Sequence, residues 1–436
     1  MKKTFITLLF LAVALTTVLA GCTGGAANTS SDGGGAETEI SMWTFVEMHA
    51  KFFEDAAARW NEANPDRRIK LKAEVLPYDD MHNKLLVALQ SGVGAPDISD
   101  IEIGKFPNYL KGEPQLFDLT DLVEEDRSNF VEARLAIYSK DGKLYGLPTH
   151  VGATVMYYNT EILSQAGVNP DDIKTWADFV EAGHKVKDAT GKVMITIDTA
   201  EANPFLPMVA QRKSDFVDKE GNVTMDSQTN LEILEFLHRL IYEEKIAIVT
   251  PGRGAHAEEY YGFMNNGGSA SILMPMWYMG RFLEYMPDLK GKIAIRPMPA
   301  WDEGGFRSAA IGGTGTVVTK QARNPELARE FLKFAKVSKD AQIKLWTELG
   351  FDPPRWDVWD AEELKAENKY TEYFGNNIFE VLQSVKDEIH PFHITTKFPP
   401  TMTILNSSVL FKSLEEQSLT PAEALKEGAA ELKKSE

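Results

Sequence analysis

The feature that most constrains the fold is a change of hydrophobic period near the start of the chain. Between residues 53 and 60 apolar side chains recur at helical spacing, whereas between residues 69 and 75 they alternate with charged ones. The first spacing is typical of an amphipathic helix, and the second predicts a strand with one covered face. Because a short strand is also predicted over residues 39–45, the order is strand, helix, strand. This order indicates a βαβ unit and an α/β domain.

The same alternation of strands and helices continues along the chain. Thr175 and Asp178 have the spacing of a capping box, and Asn324 followed by Pro325 is typical of a helix N-terminus. The remaining predicted strands begin at 96–98 and span 193–197, 271–274 and 293–295. The remaining predicted helices span 79–92, 231–241 and most of the chain after residue 362, apart from a loop at 390–400.

The first residues of the chain have the pattern of an export signal. Lys2 and Lys3 precede an apolar run over residues 5–20, which is shorter than the about 20 residues that a membrane-spanning helix needs. The only cysteine, Cys22, ends a Leu-Ala-Gly-Cys string that is similar to the lipobox of bacterial lipoproteins. We therefore expect residues 1–21 to be removed and Cys22 to carry a diacylglycerol and an acyl chain. An ordinary secretory signal with a chance cysteine is the alternative.

Residues 22–39 are predicted to be a flexible tether, because they are mostly Gly, Ser, Thr, Ala and Asn. The rest of the 436-residue chain is long enough for two or three domains of about 150 residues. The formal net charge of −18 disfavours binding to nucleic-acid phosphates and to anionic lipid headgroups. We therefore expect contact with the membrane only through the lipid, on the outer face of the cell membrane.

Four segments in this order resemble the extracellular solute-binding proteins of ABC importers, in the carbohydrate-binding group that includes maltose-binding protein. Together they cover nearly all of the chain after the tether. The dipeptide Thr149-His150 departs from the small or apolar residues expected after Gly-Leu-Pro. The segments are a strand ending at Trp43 with NPDRRIKLKAEV and KLLVALQSGVGAPDI, then DGKLYGLPTHVGATVMYYNTEIL with TWADFVEAGHKV, then FMNNGGSASILMPMWYM, and finally IGGTGTVVTKQARNPELAREFLKFA.

The resemblance implies an α/β fold of the periplasmic-binding-protein type, class II, in which two lobes joined by hinge strands enclose a ligand cleft. It also implies a monomeric receptor that captures a sugar, in our prediction an oligosaccharide, and delivers it to an ABC permease by hinge closure. Such a receptor needs no cofactor and no catalytic residue. The implied N-terminal lobe comprises 40–152 and 314–364, the C-terminal lobe 153–313 and 365–436, and the hinge strands 153–159 and 315–318.

Candidate ligand contacts lie in loops after predicted strands, because ligands of open α/β sheets bind beyond the carboxyl ends of strands. Aromatic rings cover the C–H faces of a sugar, and carboxylates, amides and imidazoles bind its hydroxyl groups. The glycines would allow close backbone approach. The candidates are the aromatic residues Trp43, Phe45, Tyr78, Phe205, Trp277, Tyr278 and Trp356, the polar residues Glu47, Asp79, Glu102, His150, Asn203 and Arg355, and the glycines Gly312 and Gly313.

Trp277 is the main candidate for stacking against a sugar ring. The matching segment of the resembled family ends its strand in a turn that leads to a tryptophan lining the cleft. Packing of Trp277 at the interface between the lobes is the alternative. Three other tryptophans lie within helical patterns and are predicted to be packing residues: Trp60, Trp176 and Trp346.

Two other classes of function remain open from the sequence. A lipid-tethered carbohydrate-active enzyme would need two carboxylates that meet only in space, which sequence spacing does not exclude. The motifs of serine hydrolases, zinc proteases, P-loop NTPases and CxxC proteins are absent from the sequence. A metal receptor is suggested by His390 and His393, although Pro391 between them favours a loop histidine pair.

Overall fold

The computed structural model describes residues 37–375 and 378–435. The predicted signal peptide, Cys22 and nearly all of the predicted tether lie outside the described residues. The strands are β1 Thr38–Thr44, β2 Ile69–Val75, β3 Ile98–Glu102, β4 Ser139–Lys140, β5 Lys143–Leu144, β6 Leu147–Pro148, β7 Thr154–Asn159, β8 Val193–Ile197, β9 Ala247–Val249, β10 Ser269–Pro275, β11 Ile293–Pro297 and β12 Thr314–Val318.

The helices surround these strands. They are α1 Glu47–Ala63, α2 Tyr78–Ser91, α3 Thr120–Val123, α4 Glu132–Ile137, α5 Thr160–Gln165, α6 Trp176–Thr190, α7 Phe205–Gln211, α8 Gln228–Tyr242, α9 Glu258–Asn265, α10 Met279–Tyr285, α11 Pro325–Lys336, α12 Lys339–Leu349, α13 Glu362–Lys365, α14 Lys369–Phe374, α15 Ile378–Val385, α16 Phe398–Ile404 and α17 Pro421–Leu432. No helix in the described part of the chain is both long and apolar enough to cross a membrane.

The strands form two five-stranded mixed sheets and one small hairpin. The first sheet has the order β2-β1-β3-β12-β6, with β1 parallel to β2 and β3 and with β12 antiparallel to β3 and β6. The second has the order β11-β7-β10-β8-β9, with β8 parallel to β9 and β10 and with β7 antiparallel to β10 and β11. Each sheet is the centre of one lobe, so the predicted two-lobe α/β fold is confirmed.

The predicted βαβ unit forms the start of the N-terminal lobe. β1 pairs with β2 along its whole length, from Thr38 opposite Ile69 to Thr44 opposite Val75. The apolar face of α1 is buried, as its helical spacing predicts. Burial of the apolar face of β2 decreases along the strand: Ile69 at its start is buried, whereas Val75 at its end is 40% exposed. Since β1 begins at Thr38, the last two residues of the predicted tether belong to the strand.

Two antiparallel chain segments pair where the chain passes between the lobes. The backbone N–H of Thr149 donates to Thr314 O at 2.9 Å, and the N–H of Ile311 donates to Gly152 O at 2.9 Å. The segments at 149–154 and 309–314 therefore form the crossing. The predicted hinge strands, 153–159 and 315–318, largely coincide with β7 and β12 at the edge of this crossing. Their main parts belong to the sheets of the two lobes.

Separate hydrophobic cores stabilise the lobes. One cluster fills the N-terminal lobe, and two further clusters pack around the sheet of the C-terminal lobe. Trp60, Trp176 and Trp346 are buried, as predicted, with exposed fractions of 5%, 2% and 0%. Trp346 and Leu364, which the implied boundary assigns to the N-terminal lobe, pack with residues of the C-terminal lobe.

Candidate ligand-binding cleft

The N-terminal wall of the candidate site consists of residues just beyond parallel strands. Phe45 follows β1, Tyr78 begins α2 just after β2, and Glu102 ends β3. The rings of Phe45 and Tyr78 meet edge to face with their centroids 5.2 Å apart. The Tyr78 hydroxyl donates to Glu102 Oε2 at 2.9 Å. Because the carboxyl ends of these strands share one edge of the sheet, the fold brings the three side chains together.

Glu102 is held by local donors. Its Oε2 also accepts the backbone N–H of Gly104 at 2.7 Å. Burial raises the pKa of Glu102 to about 7, against the opposing effect of the Tyr78 and Gly104 hydrogen bonds. Near neutral pH the carboxyl group therefore exists both as an acid, which donates a hydrogen bond, and as a carboxylate, which accepts several.

His82 fixes the backbone behind this wall. Its Nδ1 lies 2.6 Å from the carbonyl oxygen of Tyr78, and its Nε2 lies 3.0 Å from the backbone nitrogen of Glu102. Nδ1 must therefore donate and Nε2 must accept, which is the pattern of a neutral imidazole. Burial lowers the pKa of His82 to about 4, so the ring stays neutral at physiological pH.

The C-terminal wall is formed by Trp277, His256 and Glu201. Trp277 follows β10, and its ring stacks on that of His256 with centroids 5.7 Å apart and planes 16° apart. The Trp277 N–H donates to Ile311 O, in the crossing, at 3.2 Å. The half-buried Trp277 contacts hydrophobic clusters of both lobes. This side chain therefore lies at the junction of the lobes and keeps a surface for a ligand.

Glu201 and His256 contact each other beside this tryptophan. His256 Nε2 lies 3.3 Å from Glu201 Oε2. Burial, with a smaller effect of the Arg281 charge, lowers the pKa of His256 to about 4. Burial, then the charges of Asp198 and Glu102, raise the pKa of Glu201 to about 8, while Arg281 opposes the rise. A neutral imidazole and a carboxyl group that is largely protonated at neutral pH are suited to hydrogen bonding with neutral hydroxyl groups.

The two walls face each other across a cleft. The charge of Glu102 contributes to the raised pKa of Glu201, and the charge of Glu201 contributes to the raised pKa of Tyr78, although Glu201 belongs to a different lobe from Glu102 and Tyr78. A Cβ added to Gly280 of α10 would lie 3.0 Å from Met48 Sδ of α1. Tyr78 is nevertheless 38% exposed. Side chains that are open to water and closely surrounded by both lobes are typical of a ligand cleft.

The structure brings some of the predicted residues to this cleft. Phe45, Tyr78, Glu102 and Trp277 line its two walls. Gly312 is close to them, because a Cβ added there would lie 3.0 Å from Trp277 Nε1. Its φ of +71° also favours glycine. These residues remain predicted ligand contacts, now with a common location.

Other predicted contacts are buried and have no surface to offer a ligand. Phe205 is 1% exposed in the core of the C-terminal lobe, and the Tyr278 hydroxyl donates to Ala255 O at 2.6 Å. Arg355 is 3% exposed and binds Asp126 and Asp357. These side chains thus pack in the core or form hydrogen bonds within the protein, instead of making the ligand contacts predicted from their positions. The other buried candidates are Trp43, beneath Lys84, His150, near Asp352, and Asn203.

The remaining candidates lie elsewhere on the surface or in the crossing. Glu47 and Asp79 are largely exposed and pair with Lys51 and Lys105. Gly313 packs against Tyr138 in the crossing, and Trp356 lines a different cavity. In the described residues no three His, Cys, Asp or Glu side chains are grouped to hold a metal ion, and His393 contacts Asp215.

Sequence reasoning missed Glu201, His256 and Phe398. Glu201 follows β8 in the same loop as Asn203, so its position after a strand was available as a signal. His256 and Phe398 lie in segments without a periodic pattern. The Phe398 ring lies 3.3 Å from the position of a Cβ added to Gly104, so this residue of the C-terminal lobe contacts the N-terminal lobe close to Glu102. Only the folded chain brings the start of α16 to the other lobe.

Comparison with known proteins identifies the family. The family described as bacterial extracellular solute-binding protein matches residues 48–342. This chain belongs to that family. It is 53% identical over 436 residues to the arabinooligosaccharide-binding protein of Bacillus subtilis (strain 168), covering 99% of this chain and 100% of the relative. It is 56% identical over 389 residues to the arabinooligosaccharide-binding protein of Halalkalibacterium halodurans, covering 89% and 87%.

Solved structures of other binding proteins share the fold of this family member. A binding protein from B. animalis subsp. lactis in complex with beta-1,6-galactobiose superposes with a TM-score of 0.72 at 24% identity, covering 92% of this chain and 96% of that one. The maltose-bound T. maritima MalE3 has a TM-score of 0.73 at 22% identity, covering 91% and 99%. The predicted family, the two-lobe fold and a binding protein rather than an enzyme are confirmed, as is a location outside the cytoplasm.

Proposed function

We propose that this binding protein captures an arabinooligosaccharide between its lobes and delivers it to the permease of an ABC transporter. The observation that carries the proposal is the similarity to two proteins named arabinooligosaccharide-binding, one of them 53% identical over 99% of this chain. The chemistry of the cleft supports it. An indole face, two carboxyl groups and a neutral imidazole match the C–H faces and hydroxyl groups of a sugar.

The geometry supports capture by hinge closure. Glu102 belongs to the N-terminal lobe and Glu201 to the C-terminal lobe, and Trp277 packs against hydrophobic clusters of both lobes. A sugar that contacts both carboxyl groups gains more hydrogen bonds when the lobes approach. The sugar therefore binds the closed form more tightly than the open form, and this difference shifts the population toward the closed form. In this proposal the permease recognises the closed monomer, and its partner subunits hydrolyse ATP.

A lipid anchor on Cys22 would complete this function. Two long acyl chains hold a protein stably at a membrane surface, and the predicted tether over residues 22–39 gives the receptor a high effective concentration near its permease. Cys22→Ser should therefore release the protein from the membrane and reduce uptake without changing sugar affinity. Membrane fractionation together with calorimetry measures both. Retention of the variant in the membrane fraction would contradict the anchor.

Titration calorimetry with arabinotriose tests the proposed ligand, with maltotriose as the comparison sugar. We expect arabinotriose to bind tightly and to raise the Tm, because a ligand at about 100 times its Kd adds about 2.7 kcal/mol to the free energy of unfolding. Binding of maltotriose but not arabinotriose would overturn the assignment to arabinooligosaccharides. New reducing ends after incubation would contradict a pure binding function.

A further inference from the structure

A cavity of about 370 Å³ lies apart from the cleft. One wall comes from the segment after α12 and includes Trp356, Trp359 and Asp360. The other comes from α15 and the turn that follows it, and includes Gln383, Lys386 and Asp387. None of these six residues contributes to the cleft between Glu102 and Trp277. The volume is at the lower end of the range for small-molecule sites.

The back of the cavity is preorganised. Trp359 is 3% exposed, and its N–H donates to Pro353 O at 2.9 Å. Its ring packs against Phe379 with centroids 5.6 Å apart. Gln383 Nε2 donates to Trp359 O at 2.6 Å and so joins the two walls. A ligand would therefore meet a surface whose shape is fixed by the protein core.

The front of the cavity carries a hydrogen-bond donor that has no partner within the described residues. Trp356 is half-buried, and its ring lies edge to face on Trp359 with centroids 4.8 Å apart. Whereas the Trp359 N–H is bonded, no hydrogen bond among the described residues uses the Trp356 N–H.

The charged groups at the rim are free as well. Asp360 accepts only a 3.4 Å bond from Gln383, and Lys386 and Asp387 are exposed and form no salt bridge within the described chain. The neighbouring Glu388 is already engaged by Arg307. Donors and acceptors thus surround one open indole face.

This combination selects the chemical class of the ligand. A wholly apolar molecule would desolvate the carboxylates of Asp360 and Asp387 without replacing their hydrogen bonds, which costs free energy. A phosphorylated molecule would be repelled by these two carboxylates, which outnumber the one ammonium group of Lys386. A neutral polyhydroxyl ring satisfies both requirements, because its C–H face covers the indole and its hydroxyl groups reach the rim.

We propose that this cavity is a second saccharide-binding site, separate from the cleft and suited to a short neutral sugar. The site goes beyond the proposed function, which supplies only the choice of probe. This site would bind a saccharide at the surface whether or not the cleft is occupied. The affinity expected is weaker than that of the cleft, since only one lobe encloses the sugar.

Nuclear magnetic resonance of the indole N–H groups tests the proposal on the intact protein. The chain has 8 tryptophans, and Trp356→Phe assigns the signal of Trp356 by its loss. Arabinotriose and, separately, maltotriose are titrated to tens of millimolar. We expect the Trp356 signal to shift and to reach saturation at high sugar concentration. Its apparent Kd should be higher than that of the Trp277 signal. No shift at Trp356 with either sugar, while the Trp277 signal saturates, would overturn the second site.

Two variants separate the second site from the cleft. Asp387→Asn, at an exposed position that does not endanger folding, should weaken the Trp356 titration at least threefold and leave the Trp277 titration unchanged. Trp277→Ala removes, and so assigns, the Trp277 signal, and it should leave the Trp356 titration unchanged. A Trp356 shift without any cleft response would retain the second site and contradict the proposed cleft function. Equal effects of Asp387→Asn on both signals would overturn the separate site.

Discussion

At the scale of single residues, Trp277 connects the two lobes and the proposed ligand. It contacts clusters of both lobes and remains half-buried. Trp277→Ala should weaken arabinotriose binding at least tenfold, about 1.4 kcal/mol, because the stacking face is lost. Trp301→Ala is the matched control, since Trp301 is a half-buried tryptophan of the same lobe outside the cleft. Calorimetry compares them, and equal affinities would mean that Trp277 serves only packing.

The two carboxyl groups of the cleft predict how stability depends on pH. The pKa of Glu102 is raised from 4.5 to about 7 and that of Glu201 from 4.5 to about 8, mainly by burial. Between pH 4.5 and 8 the folded state therefore retains protons that the unfolded state has lost. This contribution to the free energy of unfolding is complete below about pH 4.5 and declines as the pH rises through 7 and 8.

A double variant checks that sign. The double variant Glu102→Gln/Glu201→Gln has no such protons to lose. The difference between its Tm and that of the unmodified protein should therefore become more positive from pH 5 to pH 9. Thermal unfolding at several pH values measures the difference. Glu47→Gln, at a largely exposed position, is the control for removing a surface carboxylate. A Tm difference of the double variant that is independent of pH would show that neither carboxyl group has a raised pKa.

The sequence predicted one side of the cleft better than the other. Tyr78 and Glu102 follow parallel strands of one βαβ-based sheet, so a rule about strand ends was enough to place them. Glu201 and His256 depend on how loops of the second lobe face the first, which no local pattern encodes. The same rule also selected Phe205 and Tyr278, because position after a strand does not distinguish a side chain in a core from one in a cleft.

At the scale of elements, long periodic segments were predicted well. The helix predicted over 231–241 lies within α8, and the capping box of Thr175 and Asp178 begins α6. Short elements were missed, because two- and three-residue strands such as β4, β5, β6 and β9 carry no period. The final loop was predicted to extend to residue 400, whereas α16 begins at Phe398.

Packing of α6 against its neighbours gives a prediction at this scale. A Cβ added to Gly183 would lie 2.5 Å from Ile246 Cδ1. Gly183→Ala should therefore lower the free energy of unfolding by about 1–3 kcal/mol through overpacking. Gly262 in α9 has nothing within 4 Å of the same position, so Gly262→Ala should raise stability by about 0.5–1 kcal/mol. Urea unfolding measures both, and destabilisation by Gly262→Ala or stabilisation by Gly183→Ala would contradict the packing.

At the scale of the whole molecule, buried charges hold the crossing between the lobes. Asp352 accepts the backbone N–H groups of Gly152 at 3.1 Å and Ala153 at 2.7 Å. Arg134 donates to Gly312 O, on the other segment, at 3.0 Å. Both side chains are almost fully buried. The crossing is therefore held in one arrangement by these buried groups, rather than being a loose linker.

Substitution of Gly152 tests whether the two crossing segments are in close contact. Gly152 has a φ of +83°, and a Cβ there would lie 2.5 Å from Ile311 O. Gly112 has a φ of +62° with nothing within 4 Å, so Gly112→Ala carries the backbone strain without the clash. Gly152→Ala should cost about 1–3 kcal/mol more than Gly112→Ala in urea unfolding and should weaken sugar binding. Equal costs would show that the crossing segments are not in close contact.

The proposed function depends on an oligosaccharide binding between the lobes. A crystal structure of the protein with arabinotriose would locate the sugar. We expect a sugar ring against Trp277, with hydroxyl groups within hydrogen-bond distance of Glu102 or Glu201. Arabinotriose found only outside the cleft, with water between Trp277 and Glu102, would contradict it.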